Sequence, residues 1–165
     1  MPSDYLSTVQ FDTDRDLWIG TMDNQLLQLE HPTRQWKSYN VIKARCIAQK
    51  DAHTIAVGTV DGLLLINKQT WKQAHIFKST DNKGEDFNAF IQSIAFIDDE
   101  QAWLGSDGGG LYLCNLQTLE KRAFSTEQRL PSNRVSALLI DHSKMLWITT
   151  DHGLACLPPQ PSMQI

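Results

Sequence analysis

Four copies of one short apolar segment limit what this chain of 165 residues can fold into. The copies are Leu17-Trp18-Ile19-Gly20-Thr21, Ile55-Ala56-Val57-Gly58-Thr59, Ala102-Trp103-Leu104-Gly105-Ser106 and Leu146-Trp147-Ile148-Thr149-Thr150. Each reads as a strand, and their second residues fall at positions 18, 56, 103 and 147. That recurrence lies in the range of four-stranded propeller blades, where each repeat buries its apolar faces only against a neighbour.

The residues around each anchor keep the same register. A threonine follows the third strand at Thr33, Thr70 and Thr118, and the second copy has the shorter preceding hairpin. Of the nine glycines, Gly20, Gly58 and Gly105 share one anchor position, and Gly62, Gly108, Gly109, Gly110 and Gly153 lie in the hairpin that follows. Glycine supplies the positive φ of tight hairpins, and within a strand it marks close backbone approach. The reading is an all-β chain of antiparallel four-stranded meanders. Blades are expected over 5–40, 41–87, 88–133 and 134–157, with 158–165 as an exit segment rich in proline. The fourth blade lacks a recognisable outer strand. The expectation is therefore one partial propeller domain, part of a larger ring or completed by association through open blade edges.

A net charge of -4 with interspersed signs is not the footprint of a nucleic-acid partner. No run approaches the apolar length of a membrane span and MPSDYLSTVQ lacks the regions of a secretory signal, so no direct membrane contact is expected of this segment. Cys46, Cys114 and Cys156 show no C-x-x-C spacing and are expected to be small buried hydrophobes.

The run Leu130-Pro131-Ser132-Asn133, followed by Val135, Asp141, Leu146-Trp147-Ile148 and Gly153-Leu154, resembles the two-component regulator propeller repeat. Leu17 to Thr21 matches the core of that signature, as do Trp103 to Ser106 with Gly109-Gly110-Leu111-Tyr112. Ala56 departs from it in the second copy and Thr149 in the fourth. The resemblance implies the sensor region of a bacterial hybrid histidine kinase or diguanylate cyclase, a periplasmic location, and a full ring larger than four blades.

Asp12, Asp14 and Asp16 have the spacing that opens a calcium loop, but Leu17 and Asp23 stand where such a loop needs Gly and Glu. A solvated turn is the favoured reading, and no metal or cofactor is expected. The five histidines show no metal spacing. Asp107 to Gly110 reads as a hairpin, since the Gly-Lys-Ser/Thr ending of a phosphate loop is missing. Trp18, Trp103 and Trp147, with Gly20, Gly58, Gly105 and Gly153, are expected to be structural repeat positions, the tryptophans packing between blades. Trp36 and Trp71 are candidates for a lateral surface.

Function is expected in loops held by the scaffold. Asn88, Asp107, Asn133, Arg134 and His152 lie on loops that share one end of the blades, and are the candidate contacts for a polar small molecule, an oligosaccharide or a protein partner. The expected role is a non-catalytic sensor module. The alternatives are a propeller-fold glycan lyase or hydrolase, and an oligomerisation scaffold without ligand.

Overall fold

The computed structural model describes residues 5–78 and 90–159. The chain divides into two compact units, Met1–Ile91 and Gln92–Ile165. In the first, β1 (Leu6–Phe11), β2 (Leu17–Thr21), β3 (Gln25–Leu29) and β4 (Trp36–Asn40) form one sheet in that order. β5 (Cys46–Asp51), β6 (Thr54–Thr59), β7 (Gly62–Asn67) and β8 (Gln73–Ile76) form a second. β9 (Ile91–Phe96), which opens on the boundary residue, pairs with β10 (Gln101–Ser106), followed by β11 (Leu111–Asn115) and β12 (Lys121–Phe124). The last sheet, β13 (Val135–Ile140), β14 (Leu146–Thr150) and β15 (Gly153–Leu157), has three strands among the described residues. Among the described residues there is also a 3₁₀ turn at Thr126–Gln128, which the strand pattern did not foresee and which Ser125 and Gln128 close as a capping box.

Side-chain alternation gives every blade two faces. In the first blade Trp18 pairs with Gln28 and Gly20 with Leu26, which puts these four on one face, here called trailing. Leu17 opposite Leu29 and Ile19 opposite Leu27 make the other, leading face. The first unit's core joins the trailing Trp18 and Leu26 to the leading Ile47, Ile55, Val57, Leu64 and Ile66 of the next blade. The second unit repeats the arrangement, with Trp103, Leu111 and Leu113 trailing against Val135, Leu146 and Ile148 leading.

The anchor glycine follows from this geometry. A Cβ on Gly20 would stand 2.8 Å from Ala44 Cβ, and one on Gly105 would stand 2.5 Å from a Val135 methyl. Both collisions are with the neighbouring blade, so close approach of the blades requires glycine there. Thr149 occupies the same position on the trailing face of β14, where it is exposed.

Three sequence expectations are corrected. Trp18 and Trp103 are buried between blades, but Trp147 is 37% exposed, since within the second unit no further described strand packs on its face. Trp71 does not lie on a lateral surface: it stacks on Tyr39 with ring centroids 3.7 Å apart and stands 5.9 Å from Trp18. Cys114 is buried and Cys46 half-buried, whereas Cys156 is exposed beside Trp147, its cross-strand partner.

Candidate functional site

At the loop end of the second unit, the hairpin after β10, the entry to β13 and the hairpin after β14 converge. Asp107 and Arg134 form an isolated antiparallel bridge, and Arg134 Nε lies 3.4 Å from Asp107 Oδ1. Gln92, Asp107, Arg134, Val135, Ser136 and Asp151 line a cavity of about 260 Å³ around that pair. Among the described residues the lining offers one guanidinium, two carboxylates, an amide and a hydroxyl against a single valine, a set suited to a ligand rich in polar groups.

The cavity wall is held by backbone bonds. Asn133 carbonyl accepts from Gly108 N at 3.0 Å and Gly110 N at 2.8 Å, while its side-chain Oδ1 accepts from Thr126 N at 2.8 Å. Asn133 thereby ties the hairpin to the 3₁₀ turn, and its amide oxygen is spent on that tie. Gly108 and Gly110 have φ of 105° and 85°, a backbone that suits glycine. Ser132 Oγ accepts from Arg134 N at 3.2 Å. A hydrogen bond from the Ser132 hydroxyl, helped by the nearby charges of His152 and Arg134, holds the Asp151 carboxyl below its usual range.

The sequence candidates therefore separate. Asp107 and Arg134 meet at the cavity, Asn133 stands behind it, and His152 does not line it but pairs with Asp151, which does, Nδ1 lying 3.3 Å from Oδ1. Asn88 lies outside the described residues. Asp151, Gln92 and Ser136 were not singled out from sequence. Asp151 precedes His152 in the same hairpin, which was the available signal; Gln92 and Ser136 sit in strands and gave none.

The aspartates of the first turn form a different structure. Asp12 and Asp16 are buried, contrary to a solvated turn, and only Asp14 is exposed. Asp12 Oδ1 accepts from Asp14 N and Asp16 N, each at 2.9 Å. Its Oδ2 accepts from Trp18 Nε1 at 3.0 Å and Lys68 Nζ at 2.9 Å, and Lys68 also bonds Asp14 at 2.6 Å. Burial raises the Asp12 pKa, but the hydrogen bonds from Lys68 and Trp18 outweigh it and hold the carboxyl below its usual range. Burial lowers that of Lys68, and its bonds to Asp14 and Asp12 outweigh it in turn. Asp16 accepts from Gln28 Nε2 and His31 N. These carboxylates are committed to an ammonium and to backbone N–H groups. Among the described residues no group of three or more His, Cys, Asp or Glu is arranged to hold a metal ion. Nor is any helix long and apolar enough to cross a membrane.

Residues 129–152 match the family model described as two component regulator propeller. No curated relative matches in sequence. Among solved structures, the extracellular domain of a protein described as a hybrid two component system from B. thetaiotaomicron is 20% identical, with a TM-score of 0.82 over 99% of this chain and 23% of its own. The chain thus spans about a quarter of that extracellular domain's length. The computationally designed Ika4 protein is 13% identical with a TM-score of 0.73, covering 96% of this chain and 94% of its own. Virginiamycin B lyase from Staphylococcus aureus is 11% identical with a TM-score of 0.69, covering 96% of this chain and 57% of its own. At these identities the likeness establishes fold: the chain is made of β-propeller blades.

Proposed function

We propose that this chain, which carries a two-component regulator propeller repeat over residues 129–152, works as a non-catalytic sensing module of a bacterial signal-transduction protein, outside the cytoplasmic membrane. Its ligand is a small polar molecule held in the cavity at Asp107, Arg134 and Asp151. The observation that carries this reading is the meeting of one guanidinium and two carboxylates from three different loops around one cavity. Mixed charge of that kind suits a zwitterionic or polyhydroxyl ligand better than a simple anion, which the carboxylates would repel.

A catalytic reading would assign acid–base work to His152 and Asp151. Their side chains are 74% and 43% exposed, so the pair sits in water, without the enclosure that gives an active site its electrostatic strength. Ligand binding would act on downstream domains only through unequal affinity for two arrangements.

The test is calorimetric titration with amino acids, amino sugars and small polyols. A member of that set binds, and Arg134→Ala weakens it by about 10- to 100-fold, the worth of a hydrogen bond to a charged group. Binding unchanged in Arg134→Ala, or no binding across the set, would refute the assignment.

A further inference from the structure

The two blades at the ends of the chain carry opposite halves of the joint that the chain builds between its own blades. On the trailing face of the fourth blade, Trp147 pairs with Leu139 and Cys156, and Thr149 pairs with Ala137 and Leu154. Leu139 and Leu154 are 63% and 60% exposed. Residues at the position of Leu154 in the other three blades, Leu26, Leu63 and Leu111, are fully buried. On the leading face of the first blade, Leu6, Val9 and Phe11 occupy the register positions of Val135, Leu138 and Ile140. The latter three belong to the core of the second unit, whereas Leu6, Val9 and Phe11 are 51%, 63% and 64% exposed. Ile19 and Leu27 at the middle of that leading face are buried, so its open part is the β1 side.

The polar parts of the joint are divided in the same way. Asp141 copies Asp12: Oδ1 accepts from Ser143 N at 2.8 Å and Met145 N at 3.0 Å, and Oδ2 accepts from Trp147 Nε1 at 2.8 Å. In the first unit that second oxygen also receives Lys68 from the neighbouring blade. The turn that carries Lys68 has its counterpart after β3. Arg34 N donates to Glu30 O as Trp71 N donates to Asn67 O, and Arg34 and Trp71 share φ of 58°. Hence His31 stands at the position of Lys68 and Arg34 at that of Trp71, and both are exposed. A cation and a ring N–H donor thus belong to the leading face, and a carboxylate and an indole to the trailing face.

We infer that the trailing face of the fourth blade binds the leading face of the first blade of a second copy of this chain, head to tail. The contact places Leu6, Val9 and Phe11 against Leu139, Trp147 and Leu154, with His31 and Arg34 of that copy near Asp141 and Trp147. Such a contact is heterologous, since two different surfaces meet. Thr149 adds atoms where the internal joints have glycine, at the point that Leu6 of the second copy would approach. The docked joint is therefore looser than the internal ones.

The test measures mass by sedimentation or light scattering over a concentration series, together with two single-face variants, Leu154→Arg and Phe11→Glu. Both side chains are exposed, so the thermal melts of the variants are expected to stay near that of the starting chain. The unaltered chain is expected to reach the mass of two or more copies, and each variant alone to stay at one. An equimolar mixture of the variants forms a dimer, because one keeps its leading face and the other its trailing face. Thr149→Gly tightens association several-fold. Should Leu154→Arg fail to fold, a bulky maleimide on the exposed Cys156 of the folded chain serves instead and abolishes association. A chain that stays single at every concentration would overturn the inference and leave these faces to blades from elsewhere. Variants that still self-associate alone, or a mixture that stays at one copy, would overturn it as well.

Discussion

Trp18 and Trp147 make the same bond and live in different surroundings. Each donates its indole N–H to an aspartate six residues earlier, at 3.0 Å to Asp12 and 2.8 Å to Asp141. In both turns that aspartate also accepts from two backbone N–H groups. Yet Trp18 is fully buried and Trp147 is 37% exposed. The strand, turn and strand therefore assemble their bonds locally, and a neighbouring blade supplies the burial. Position in the array, more than the repeat's own residues, decides what each copy contributes to stability, as expected of quasi-one-dimensional folds.

The largest test of that difference is truncation. Trp18→Ala removes a buried indole ringed by Tyr39 and Trp71 and should cost about 3–5 kcal/mol, measured by urea denaturation. Trp147→Ala should cost below about 1.5 kcal/mol, since its ring already meets solvent. Equal losses would show that the indole–carboxylate bond, not burial, carries the energy.

Lys68→Met probes the part of the joint that only Asp12 possesses. Asp12 and Lys68 side chains are 1% and 7% exposed, so removing the ammonium strands a buried carboxylate and should cost about 3 kcal/mol. The sign of the pH dependence follows from the shifts. Asp12 is held low, so its contribution is present above about pH 3.9 and is lost as pH falls through the lower folded value. Lys68 is held high, so its contribution is present below about pH 10.4 and is lost as pH rises through the higher folded value. Stability measured against pH should flatten at both ends in Lys68→Met.

Gly105→Ala sharpens the contrast between covered and open faces. The added methyl would stand 2.4 Å from Ser93 Oγ and 2.5 Å from a Val135 methyl, at a cost of about 1–3 kcal/mol. Thr149→Ala at the equivalent open position should change stability by less than about 0.5 kcal/mol.

The smallest effect is on reactivity alone. Burial pushes the Cys46 thiol up to about 12 and that of Cys114 up as well, while Cys156 is exposed. Thiol labelling of the native chain at neutral pH should modify Cys156 first, because it alone of the three is exposed.

How much of this was legible follows from what a repeat encodes. The anchors at Trp18, Trp103 and Trp147 and the hairpin glycines made the antiparallel meanders legible, because alternation and turn chemistry are local. Coverage is not local. Nothing within Leu146 to Thr150 announces that its trailing face lies open, although Thr149 in place of glycine was a visible trace of it. The lock between Asp12 and Lys68 spans 56 residues and joins two repeats, so reading each copy separately gave a solvated turn. Trp71 was misplaced for the same reason, its partners Tyr39 and Trp18 lying in another blade. At the candidate site, Asp107 and Arg134 were legible as loop residues, but Gln92 and Ser136 belong to strands and only the fold brings them to the cavity.

The central functional claim is that the loop end of the second unit binds a small polar ligand. The most direct measurement is backbone amide chemical-shift mapping during titration with a binder taken from the polar set. Shifts confined to Gln92, Asp107 to Gly110, Asn133 to Ser136 and Asp151 to Gly153 are predicted. Shifts that instead fall on Val9, Phe11, Leu139 and Trp147, or that spare Arg134 and Asp151, would contradict it.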